Sequence, residues 1–309
     1  MPHLSRRSRL VPVLLAILAL LGCAGSGGKA SAPRALAAGA DTSTPCRGAN
    51  PGGIQHVIWV LMENKSSSKV VGNPSAPYLG SLAQRCGLAT NDHGVSHPSL
   101  PNYIALTSGS THGIADDRNP SAHHVAGPSI FSQVADNHRS WRSYEESMPG
   151  TCRRTNSGNY AVRHNPATYY TGLNPTCSSA DVPYPQLSKD LSASQLPAFS
   201  FVTPNLCNDM HDCGIGAGDT WLSRELPKIL NSSAYRSGTT AVFIAWDEDD
   251  HTSGNQIPLY VVAPSVRPGT VSGTSFQHPA LLDATGQMLG LSGALSGHGG
   301  SALRSAFHL

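Results

Sequence analysis

Apolar residues along this chain cluster in blocks. His56 to Met62 is a continuous apolar run bounded by Gly52 and Gly53 on one side and a polar stretch on the other, as expected of a strand buried on both faces. Residues 198–203, 240–246 and 257–263 repeat the pattern, and helical stretches lie at 76–86, 100–108, 129–137, 219–231 and 279–290. Strands alternating with helices predict an α/β sandwich around a mostly parallel sheet. Residues 141–185, with many Pro, Tyr and Asn and two Cys, read as an irregular excursion at a pocket rim. No internal repeat is visible.

The first 50 residues follow a different pattern. Arg6, Arg7 and Arg9 precede an apolar run from Leu10 to Leu21, interrupted only by Pro12. The run is shorter than the roughly 20 residues that span a bilayer comfortably, and its positive flank is that of a signal peptide. It ends in Leu20, Leu21, Gly22 and Cys23, which resembles a bacterial lipobox. Residues 1–22 are therefore expected to be removed and Cys23 to carry a lipid, with cleavage within 24–40 as the alternative. Residues 23–50, rich in Ala, Gly, Ser and Pro, read as a flexible tether, and residues 51–309 as the folded domain.

Composition then narrows the function. The 309 residues carry 21 basic and 19 acidic side chains, and loss of the three signal arginines turns this into 18 against 19. Such a chain has no basic stripe for a polyanion, so nucleic acid is excluded as a partner. With Cys23 assigned to the lipid, the seven cysteines leave six, namely Cys46, Cys86, Cys152, Cys177, Cys207 and Cys213. An even count in an oxidising compartment suggests three disulfides, and nearest-neighbour pairing is expected among the roughly 15 possibilities. A zinc site is the weaker reading, because no Cys-x-x-Cys pair exists.

Ligands of open α/β sheets bind beyond the carboxyl ends of the strands. The first strand runs into Glu63 and Asn64, the 198–203 strand towards Asp209, His211 and Asp212, and the 240–246 strand into Asp247, Glu248, Asp249, Asp250 and His251. Oxygen ligands with imidazole at one sheet edge suit one divalent cation, with Ca²⁺, Mg²⁺, Mn²⁺ and Zn²⁺ all open. Ser99 begins the 100–108 helix just before Pro101. Two readings stand open there: an N-cap, or a nucleophile at a helix end that favours a phosphate.

A resemblance bears on this choice. Glu63-Asn64-Lys65-Ser66 after a strand, His97-Pro98-Ser99-Leu100-Pro101-Asn102-Tyr103 followed by Thr107-Ser108-Gly109, His164-Asn165-Pro166, Asn208-Asp209-Met210-His211-Asp212, Asp247-Glu248 and Gln277-His278-Pro279 occur in order. Over roughly residues 54–292 the chain resembles the bacterial phosphoesterase family of secreted acid phosphatases and phospholipases C, within the alkaline-phosphatase-like superfamily. The resemblance implies a three-layer sandwich, Ser99 as nucleophile, and Glu63, Asn64, Asp209, Asp247 and Glu248 around one metal ion. It places His164 and His211 in catalysis, with Asn102, Asp212 and His278 around the substrate. The Asp-His and Asp-x-x-x-His spacings of related two-metal enzymes are absent, which favours one metal.

The implied activity is hydrolysis of phosphate monoesters, phosphatidylinositol 3-phosphate among them, by an exported acid phosphatase. A phospholipase C-type phosphodiesterase and a non-catalytic surface binding lipoprotein are the alternatives. The expected partners are a small-molecule or lipid phosphate ester and, through the lipid anchor, a membrane; the chain is expected to act as a monomer. Cys-x5-Arg, Arg-His-Gly-x-Arg-x-Pro and Gly-x-Ser-x-Gly are all missing, which argues against cysteine phosphatases, histidine phosphatases and serine esterases. Asp219 is expected to cap a helix starting at Thr220, and Glu145 and Glu146 to lie in a solvated turn.

Overall fold

The structure is a computed structural model that describes residues 44–292 and 298–309. The signal peptide, Cys23 and the tether up to residue 43 lie outside the described residues. Strands β1 (His56–Met62), β2 (Gly87–His93), β3 (Trp141–Glu145), β4 (Asp181–Pro183), β5 (Phe199–Thr203), β6 (Thr240–Trp246), β7 (Gln256–Val262), β8 (Thr270–Ser272) and β9 (Phe276–Gln277) form one sheet. Its order is β4-β3-β5-β1-β6-β7-β2-β8, with β9 also on β2. Only β7 runs against its neighbours, β6 and β2, so the expected mostly parallel sheet is present. Pro258 of β7 falls where the register with β2 shifts between Ala89 and Asp92, a place where a missing N–H is tolerated.

The four apolar runs form β1, β5, β6 and β7. β1 sits between β5 and β6, with Val57 opposite Phe199 and Ala241, and its side chains from Val57 to Met62 are all buried. Successive strand side chains alternate between faces. Trp59 donates from Nε1 to Thr285 Oγ1, whereas Met62 lies against Gly218 on the other face.

These contacts locate the two helical layers. Thr285 belongs to α6 (His278–Leu289), which packs with α2 (Ser99–Ser108) and α7 (Gly300–Phe307), and α3 (Ile130–Asp136) packs with α2. Gly218 belongs to α5 (Ile215–Leu230), which packs with α1 (Pro77–Arg85) and α4 (Pro185–Ser192). The result is the three-layer sandwich expected from the sequence. Among the described residues no helix is long and apolar enough to cross a membrane.

Three disulfides are present, Cys46–Cys86, Cys152–Cys177 and Cys207–Cys213, in the nearest-neighbour pairing. The first fastens the end of the stretch read as a tether. Cys46 is buried, Arg47 N and Ala49 N donate to Pro264 O, and Gly48 N donates to Val266 O. Residues 44–50 are thus part of the folded unit.

Two further corrections concern acids. α5 starts at Ile215, so Asp219 lies inside it; its carboxylate instead accepts from Tyr78 N and Leu79 N at 3.1 and 2.8 Å, capping α1 from the side. Glu145 is not in a solvated turn, and Glu146, in the turn after β3, is half-buried. β3 is an interior strand, Glu145 is buried, and Glu146 accepts from Asn205 N and Trp221 Nε1.

Candidate active site

Three adjacent parallel strands bring the acids together. β1 runs directly into Glu63, which is fully buried. β6 pairs with β1 as far as Met62 opposite Trp246, so Asp247 emerges beside Glu63, and Asn64 N donates to Asp247 Oδ1 at 3.1 Å. On the other flank the loop after β5 returns to the sheet, where Glu63 N donates to Asp209 O at 2.8 Å. Gly218 allows that loop to approach, because a Cβ there would lie 2.5 Å from Met210 Cγ.

Ser99 enters from α2. The cap position is Pro98, Ser99 is the first helical residue, and no side chain at the cap position bonds back to the helix. The N-cap reading of Ser99 is therefore corrected. Asp117 Oδ1 accepts from Leu100 N at 2.9 Å instead, and Ser99 Oγ, buried, donates to Glu63 Oε2 at 3.0 Å. Positions i and i+4 share a helix face, so Tyr103 follows Ser99 and donates to Glu63 Oε1 at 2.5 Å. Asn102 fixes the preceding loop, accepting from Val95 N and Ser96 N, and reaches Glu248 Oε2 at 3.0 Å.

The imidazoles occupy distinct places. His164 is buried, with Nε2 3.4 Å from Glu63 Oε1 and Nδ1 3.3 Å from Asp209 Oδ2. His211 lies nearer the surface: its ring centre is 5.7 Å from that of His164, its Nδ1 meets Asp212 Oδ1 at 2.6 Å, and its Nε2 is 3.0 Å from Arg163 Nη2. Asp212 is thus the partner of His211. His278 departs from the substrate-contact expectation, because its buried Nε2 meets the backbone carbonyl of Asp247 at 2.6 Å. It supports the strand end from behind. Asn64 bonds Asp247 through its main chain, in a left-handed conformation with φ 54°.

The electrostatics of this group call for a cation. Burial first, and then the charges of Asp247 and Asp209, hold the Glu63 carboxyl well above the usual carboxylate range. Burial pushes Asp247 and Asp209 up to about 7, and burial with the neighbouring Asp247 pushes Glu248 up to about 9. Burial, with Arg163 and His211 nearby, holds His164 well below its usual value, hence neutral. Asp209 Oδ2, Asp247 Oδ2 and His164 Nε2 are buried without hydrogen-bond partners, and Glu63, His164 and His211 place ligand atoms within 4.8 Å of one another. Unpaired lone pairs of buried acids converging with a neutral imidazole fit a divalent ion.

Of the residues singled out in the sequence, Glu63, Ser99, Asn102, His164, Asp209, His211, Asp247 and Glu248 are brought into one connected group. Several neighbours were given no role in the sequence: Tyr103 and His97 within the Ser99 motif, Arg163 beside His164, and Asp117 from the loop after α2. A register argument from Ser99 finds Tyr103. Nothing local marks Asp117 or Arg163, whose Nε lies 3.7 Å from Asp117 Oδ2.

Solved structures share the fold, among them a protein of the alkaline phosphatase superfamily. A superfamily protein from Vibrio parahaemolyticus aligns with a TM-score of 0.55 at 14% identity over 79% of this chain and 68% of that one. Murine ectonucleotide pyrophosphatase/phosphodiesterase 5 aligns at 0.53 and 11% over 82% and 100%. The chain belongs to the phosphoesterase family, whose profile matches residues 72–292, and is on that basis a phosphoric ester hydrolase. It is 35% identical to the phosphatidylinositol-3-phosphatase of Mycobacterium tuberculosis over 76% of this chain and 77% of that one. It is 29% identical to an acid phosphatase of Aspergillus fumigatus over 68% of this chain, and spans about half of that fungal relative, 50%.

Proposed function

We propose that the protein is an exported, metal-dependent acid phosphatase that hydrolyses phosphate monoesters through a phosphoserine on Ser99. The observation that carries this is the bond from Ser99 Oγ to Glu63 Oε2 at 3.0 Å, which points the hydroxyl away from a capping role and into the acid cluster. Glu63, Asp209 and Asp247 would hold a divalent ion, which when bound supplies Lewis-acid polarisation and offsets the charge of the phosphate. The likeness to a phosphatidylinositol-3-phosphatase supports a phosphoinositide headgroup among the substrates. Cys23, expected to be lipidated, would tether a monomer beside such a lipid.

The chain's own groups account for the proton movements. Glu63 orients the Ser99 hydroxyl and takes its proton as Oγ bonds to phosphorus and the ester oxygen departs. His211, partly exposed and held by Asp212, gives the departing oxygen a proton. Buried His164 is held neutral and suits the ligand role better. In the second half, water attacks the phosphoserine, His211 takes the water proton, and the Ser99 oxygen leaves with the proton returned by Glu63. Arg163, which sits 3.0 Å from His211 Nε2, faces the incoming phosphate oxygens and can pair with them through its planar fork.

Substitution Ser99→Ala tests the reading. It is expected to abolish turnover of a chromogenic aryl phosphate with the fold intact by circular dichroism, and chelation is expected to suppress the wild type reversibly. Turnover by Ser99→Ala at the wild-type rate would remove the assignment.

A further inference from the structure

We propose that His97, His251 and Glu248 form a second divalent-cation site, one suited to zinc or a similar first-row ion. The three residues come from two loops, His97 from the one before α2 and Glu248 and His251 from the one after β6, yet they bring ligand atoms within 4.8 Å of one another. The His97 and His251 rings lie 4.0 Å apart at an interplanar angle of 28°. His97 Nδ1 is 3.0 Å from Glu248 Oε2, but this buried nitrogen makes no hydrogen bond. The nitrogen is thus without a partner, and Glu248 Oε2, which accepts from Asn102 Nδ2 at 3.0 Å, has a further lone pair to share with a common guest.

The loop is built to hold His251 in place. His251 has a left-handed backbone, φ 60°, a conformation that is uncommon outside glycine and asparagine. It is fixed by Asp249, whose Oδ1 accepts from His251 N at 2.7 Å and whose Oδ2 accepts from Ser253 N at 2.7 Å. The buried Asp249 carboxylate also lies 3.4 Å from His97 Nε2, the nitrogen opposite the free one. A carboxylate behind an imidazole fixes ring orientation and raises its basicity as a ligand. Two imidazoles with one carboxylate favour zinc-like ions, whereas the oxygen-rich Glu63 group suits harder ones.

The proposal concerns metal binding and stands or falls separately from the phosphatase reading. Its test is equilibrium dialysis of the chelator-stripped, otherwise intact protein against Co²⁺, with bound metal counted by mass spectrometry and the imidazole-ligated ion followed by visible absorption. Wild type is expected to bind two equivalents. His251→Asn keeps a residue that tolerates the left-handed backbone at an exposed position, and is expected to lose one equivalent, as is His97→Ala. Asp209→Asn is expected to lose the other and leave the absorption of the His97 and His251 site in place. Metal stoichiometry and affinity unchanged in both histidine variants would overturn the proposal, whether wild type binds one equivalent or two.

Discussion

Two groups of buried carboxylates lie on this sheet, and they differ in what surrounds them. In the first, Glu63, Asp209, Asp247 and Glu248 meet two imidazoles, and the outward oxygens of Asp209 and Asp247 have no hydrogen-bond partner. In the second, Glu145 at the end of β3 faces Asp181 at the start of β4. There Ser143 Oγ and Thr203 Oγ1 donate to Glu145 Oε1 at 2.6 and 3.3 Å, and Asn165 Nδ2 donates to both oxygens of Asp181 at 2.9 and 3.0 Å. Burial holds Glu145 well above the ordinary range, and its Oε2 has no hydrogen-bond partner. The Cys152–Cys177 disulfide closes over this group, with Cys152 N on Asp181 O. Burial alone therefore does not make a site. Both groups carry donors, but only the first gathers imidazoles and the Ser99 hydroxyl around its acids, and that fits it for a cation and a reaction.

Substitutions in the two groups should separate them. Glu63→Gln is expected to lower kcat by about 10²–10⁴-fold with unchanged or higher thermal stability, since it removes one of several mutually repelling acids. Steady-state kinetics and a melting curve measure both. His211→Asn is expected to cost up to about 10²-fold on an alkyl phosphate and less on an aryl phosphate, whose leaving group needs less help from an acid. Equal losses on the two esters would take the proton-donor role from His211. His278→Ala, acting only through the Asp247 carbonyl, is expected to cost about 10- to 100-fold, as removal of a supporting partner does, and it should weaken bound metal in parallel.

The second group gives the smallest effect, and one of opposite kind. Glu145→Gln is expected to leave kcat and KM unchanged. Its stability signature follows from proton linkage. Burial raises Asp181 and Asp92 from the usual 3.8 to about 7, so between those values the folded state keeps protons that the unfolded chain releases. Stability from these groups is then fully present below about pH 4 and is lost as pH rises towards 7. Melting curves of chelator-treated protein across that window should fall with rising pH. A rise would contradict the raised values.

Much of this contrast was legible in the sequence, and the remainder has physical reasons. The apolar runs of β1, β5, β6 and β7 announce themselves because they are buried on both faces. β2 and β3 do not, since Gly87–His93 and Trp141–Glu145 mix polar and apolar residues and take their strand form from neighbours. Strand ends exposed Glu63, Asp209, Asp247 and Glu248 as a group before any coordinates. The Glu145 group was misread as solvated because its burial depends on β4 and a disulfide distant in the chain. Ser99 was misread as a possible cap because the true partner of Leu100 N is Asp117, a residue of a later loop. His97 with His251 became a pair only through folding.

The central claim is that the buried Glu63 group exists to let Ser99 attack phosphorus. It is tested most directly by mixing the enzyme with an aryl phosphate, quenching with acid within a turnover, and mapping phosphate by peptide mass spectrometry. The account predicts phosphate on the peptide that contains Ser99, and none in Ser99→Ala, which should also be inactive. Phosphate on another residue, or full turnover by Ser99→Ala, would contradict it.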